Sequence, residues 1–164
     1  MFNAATIQEI KKELETRSAK EVVAYCLTLA KYKKDSKEFL SYLLFESADP
    51  EIFSAKVKAE VDAQFSLLKA EKNLYFTKKS LRKILRQVTR YSRYASNDAL
   101  TADWLIYFCT HLNESGIRYH ESAVLVNMYN NQLKKINTLI NGMHEDLQQD
   151  YKSDLQELKR CGPK

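Results

Sequence analysis

The sequence predicts an all-α fold. Glycine and proline are scarce, three and two in 164 residues. Apolar residues recur at spacings of three and four along nearly the whole chain. Capping residues stand where that spacing is interrupted. Together these predict six to eight helices in antiparallel hairpins within one domain. The hairpins are either stacked like an α-solenoid or gathered into a compact helical bundle, with a long C-terminal helix. The core is expected over about 6–141 and a helical extension over about 143–160.

The first helix is expected over 6–16. Thr6 caps it, Glu9 stands at the capping-box position, and Ile7, Ile10 and Leu14 form its apolar stripe. Ser18 with Glu21 is a second capping box and opens a helix over 19–33. Val22, Val23, Cys26, Leu27, Leu29 and Ala30 cover more than half of its circumference, which predicts a central helix. Lys31, Lys33 and Lys34 end it, well placed against the helix dipole. Asp35 with Glu38 predicts a third capped helix over 36–47, rich in Phe39, Leu40, Tyr42, Leu43, Leu44 and Phe45.

Asp49-Pro50 starts the fourth helix, because Asp caps and Pro suits the first helical position. It is expected to reach Ala70, with Ile52, Phe53, Val57, Val61, Phe65 and Leu68 along its apolar side. The fifth helix is the basic segment 73–95. Ser96-Asn97-Asp98 then breaks the pattern and caps the sixth, 98–114. WLIYFC, 104–109, could be a strand in isolation. Leu100, Trp104, Phe108 and Leu112 keep helical spacing, so it is read as helix, with Trp104 in the core. Ser115-Gly116 closes that helix.

From Tyr119 to Arg160 the spacing of three and four is unbroken, and Gly142 does not shift its phase. The pattern favours one long helix over two meeting at Gly142. Beyond Met143 the stripe narrows and the surroundings turn polar. This predicts packing on a single neighbour or on a second copy of the chain. The tail CGPK is expected to fray.

The segment 73–95 carries Lys78, Lys79, Arg82, Lys83, Arg86, Arg90 and Arg93 and no acid. The whole chain has 26 basic and 21 acidic residues; without these seven, 19 face 21. The positive excess therefore belongs to one element. At roughly 100° per residue, Arg82, Arg93, Arg86, Lys79, Arg90 and Lys83 fall within one stripe, with Tyr75 and Tyr94 beside it. Leu81, Ile84, Leu85, Val88 and Tyr91 lie opposite. Such a stripe is either a solvated face answered by the protein's own acids or a surface for a polyanion. Nucleic acid, an acidic protein and phospholipid headgroups all fit by charge, and the flanking tyrosines can stack on bases.

Signals for chemistry are absent. No nucleophile motif, phosphate loop, dinucleotide fingerprint or HExxH occurs. His111, His120 and His144 lack a second ligand at helical spacing and read as surface or capping groups. Asp146, Asp150 and Asp154 read as a solvated acidic face. Cys26, Cys109 and Cys161 form neither a disulfide framework nor a zinc signature, and Cys26 reads as a small buried hydrophobe. No enzyme, cofactor or metal is expected. The longest uncharged run, 122–133, is too short to cross a bilayer, and the opening residues lack a secretory pattern, so a cytoplasmic protein is expected.

Residues 18–45, SAKEVVAYCLTLAKYKKDSKEFLSYLLF, and more loosely 50–95, resemble the helical-hairpin stacking of HEAT and armadillo-type proteins. The resemblance lies in architecture, without a repeat period or functional residues to carry over, and it implies a binding or scaffolding surface. The leading expectation is a non-catalytic module whose basic helix contacts a polyanion, foremost nucleic acid. The alternative is a protein-interaction or oligomerisation scaffold, with a homodimer through the C-terminal helix.

Overall fold

Every described element is helical. The computed structural model describes residues 3–68 and 73–163. Their order is α1 (Ile7–Glu15), α2 (Ala19–Tyr32), α3 (Lys34–Phe45), α4 (Pro50–Leu68), α5 (Leu74–Ala95), α6 (Asp98–Glu114), a 3-10 turn (Tyr119–Glu121), α7 (Ala123–Asn141), α8 (Glu145–Asp150) and α9 (Lys152–Cys161). Eight of these are α-helices of nine residues or more; α8 has six. The chain divides into two compact units, 1–48 and 49–164.

In the first unit, Thr6 with Glu9 and Ser18 with Glu21 form complete capping boxes. The bonds these carboxylates accept from the cap residues hold Glu9 and Glu21 below the usual carboxylate range. The Asp35 box does not form. α3 begins two residues earlier, after an extended Lys33 with no side-chain cap. A single residue separates α2 from α3, so Asp35 falls inside the first turn, where its charge favours the dipole. The expectation that α2 is central is also corrected. No residue of α2 is buried, because α3 is its main neighbour and one helix cannot cover so wide an apolar surface.

The second unit is built round α6, which touches α4, α5, α7 and α9. Asp49 accepts from the Ile52 N–H (3.0 Å) and so caps α4. The expected extension of that helix to Ala70 lies outside the described residues. Ala102, Trp104, Leu105, Phe108, Cys109 and Leu112 are buried along α6. Trp104 donates its indole N–H to Ser54 Oγ on α4 (2.9 Å), satisfying both buried groups. A hub with four neighbours is the geometry of a bundle, not of stacked hairpins that touch only the next repeat.

The C-terminal stretch is not one helix. α7 ends at Gly142, and an extended His144 accepts from the Asp146 N–H (3.5 Å) to start α8. The apolar spacing stays in phase across the break because α7 and α9 both turn a stripe toward α6. Leu155 and Leu158 of α9 are buried there, so its narrow seam is occupied within the chain. The tail does not fray at Gly162. Its N–H donates to the Leu158 carbonyl (2.9 Å), and a Cβ at this position would meet the Tyr129 ring. Gly116, after α6, has φ +72°, a left-handed position that favours glycine.

Candidate nucleic-acid interface

α5 is amphipathic in three dimensions as it is in sequence. Thr77, Leu81, Ile84 and Val88 are buried, and the helix packs on α4 and α6. Asn73 starts it by accepting from the Tyr75 N–H (2.9 Å). The opposite side presents Lys79, Arg82, Lys83, Arg86 and Arg93 to solvent. None of the five makes an ion pair with a carboxylate among the described residues. Arg86 Nε donates to the Arg82 carbonyl (3.3 Å), a contact within the row itself.

Among the described acids, Asp146 and Glu157 lie beside basic groups of their own helices, Asp146 3.3 Å from His144 and Glu157 3.5 Å from Arg160. Glu60 of α4 reaches α5, where it accepts from the Tyr91 hydroxyl (2.6 Å) and from the Gln87 amide. Gln64 extends that seam by donating to Gln87 Oε1 (2.6 Å). Burial, then the Glu60 carboxylate, pushes the Tyr91 hydroxyl up to about 12.

The seam redraws one edge of the expected stripe. Arg90 is half-buried, with its guanidinium 5.5 Å from the centre of the Tyr91 ring. Tyr94 is half-buried and edge-on to Tyr91, with ring centres 6.2 Å apart. Lys78 is half-buried on the other flank. Tyr75 is 70% exposed at the N-terminal end, edge-on to a half-exposed Phe76 at 5.5 Å. Phe76 was not among the expected face residues. It lies roughly 60° from Lys79 on the same helical wheel, so the spacing contained it.

A second polar cluster joins α4 to α6. His111 Nε2 lies 3.0 Å from Asp62 Oδ1, which also accepts from the Tyr107 hydroxyl (2.7 Å). The His111 ring stacks on Phe65, with centres 5.5 Å apart, and Lys58 Nζ lies 5.4 Å from the centre of the Tyr107 ring. His111 is thus a half-buried bridge between helices and not a surface or capping group. Among the described residues, no three His, Cys, Asp or Glu side chains converge as metal ligands, and no helix is long and apolar enough to cross a membrane. No family model, curated protein or solved structure matches this chain.

Proposed function

We propose that this protein is a non-catalytic binding module that holds a nucleic-acid backbone along the exposed side of α5. The observation that carries this reading is the open row Lys79, Arg82, Lys83, Arg86 and Arg93, exposed and without a described carboxylate partner. Like charges at this spacing repel one another, and an external polyanion relieves that repulsion. From Lys79 to Arg93 the row spans about 21 Å at 1.5 Å per residue. That length matches about six phosphates of one strand. Tyr75 and Phe76 favour nucleic acid over an acidic protein or a lipid headgroup, because exposed aromatic rings beside a cationic track can stack on bases.

The test is fluorescence anisotropy with a labelled single-stranded 20-mer at several salt concentrations. Five phosphate contacts give a log–log salt slope of about −3.5. Reversing Arg82, Arg86 and Arg93 to Glu abolishes binding if the row is the contact surface. Unchanged affinity in that triple variant overturns the proposal.

A further inference from the structure

The N-terminal unit, 1–48, has too little interior of its own. Tyr42 is its one buried side chain among the described residues, whereas twelve large apolar side chains are exposed. Leu29 and Leu44 are each 64% exposed and Phe45 is 77% exposed. A unit this small ordinarily needs a disulfide, a metal or association to be stable, and its sole cysteine, Cys26, is a free thiol. With about 150–250 Å² for each whole aromatic side chain, the twelve present on the order of 1,000 Å². Standard interfaces bury ~800 Å² per partner, so part of this apolar surface is enough for one contact.

We propose that residues 1–48 are the contact surface between two copies of this chain. Charge selects the second copy over a charged partner. The unit holds eight basic and seven acidic residues, so it is nearly neutral, while the positive excess lies in the other unit. A two-fold contact sets a surface against itself and therefore needs both signs at its edges. The apolar groove lined by Ile10, Leu14 and Val22 has Lys11 and Glu15 on its rim, 3.8 Å apart. A two-fold axis lets these two exchange partners between copies. The second groove is lined by Leu29, Phe39 and Leu43, and Leu44, next to Leu43 in the chain, is exposed.

Sedimentation velocity on the full chain at about 1–100 µM, a range that reads micromolar association, tests this. The expected species is a dimer, twice 19.1 kDa. Leu29→Asp with Leu44→Asp weakens self-association at least tenfold while leaving helical circular dichroism and oligonucleotide binding by each protomer in place. Leu147→Asp, at an exposed position on α8, leaves the dimer intact. If the double Asp variant loses helicity, Leu29→Ser with Leu44→Ser takes its place. A monomer throughout the range, a dimer that survives the double variant, or a dimer lost in the Leu147 variant overturns the proposal. None of these outcomes bears on the charge-reversal test of α5.

Discussion

The ring of Tyr129 occupies the space that a side chain at position 162 would need. A Cβ built on Gly162 stands 2.8 Å from Tyr129 Cε1 and 2.9 Å from the Leu158 carbonyl oxygen. Tyr129 is itself fixed from three sides. Its hydroxyl donates to the Leu158 carbonyl (2.8 Å) and accepts from the Asn113 amide (3.0 Å), and its ring stacks on Tyr119 with centres 5.5 Å apart. One buried side chain thereby joins α6, α7, the 3-10 turn and the end of α9.

Gly162→Ala is expected to destabilise the second unit by about 1–3 kcal/mol, the usual range for overpacking. The ring cannot yield without breaking its two hydrogen bonds, and the carbonyl belongs to the helix backbone. Urea unfolding followed by the fluorescence of the single tryptophan, Trp104, reports the loss as a lower midpoint with an unchanged slope. A midpoint equal to that of the parent protein contradicts this account of the tail.

What local pattern could reveal and what it could not divide along physical lines. The caps at Thr6, Ser18, Asp49 and Asn97 act within three residues, so spacing alone located them. The two sides of α5 follow from angle alone. Arg90 and Tyr94 sit off the open row beside Tyr91, whose hydroxyl donates to Glu60, 31 residues earlier. No short-range pattern encodes that pairing. Asp35 satisfied a capping rule, yet the one-residue link at Lys33 left it no turn to cap. Gly142 was hidden because α7 before the break and α9 beyond it share one neighbour, α6, and so keep one phase. The wide apolar surface of α2 predicts a central helix. The same pattern occurs when an apolar surface is wider than its one main neighbour can cover.

Alkaline unfolding is expected between about pH 10 and 12. Burial is the main cause that raises the hydroxyls of Tyr91, Tyr107, Tyr119, Tyr129 and Tyr151 above their ordinary value of 10, with Tyr91 and Tyr107 reaching about 12. Asp62 adds to the effect at Tyr107, as Glu60 does at Tyr91. Above pH 10 the unfolded chain releases these protons while the folded chain keeps them. Folding stability is therefore complete below 10 and falls as pH rises toward 12. Tyrosinate absorbance near 295 nm and far-ultraviolet circular dichroism, recorded together, should show a late cooperative rise in tyrosinate that coincides with loss of helix. A smooth titration of all ten tyrosines with helicity retained would contradict it.

The three thiols should separate into distinct kinetic classes. Cys161 ends α9 and is exposed, Cys26 is half-buried, and Cys109 is buried in α6 beneath its four neighbours. Burial pushes the Cys109 thiol up, so it has almost no thiolate with which to react even where a reagent could approach. Modification by a chromogenic disulfide at pH 8 should consume Cys161 first and leave Cys109 untouched until the second unit opens. The slow phase then measures opening of the α6 hub, and its rate should rise in Gly162→Ala, since that substitution loosens the contact between α9 and α7. A Cys109 phase as fast as that of Cys161 would mean that α6 is not the closed centre described here. A slow phase unaffected by Gly162→Ala would mean that the tail lies outside the cooperative unit that protects it.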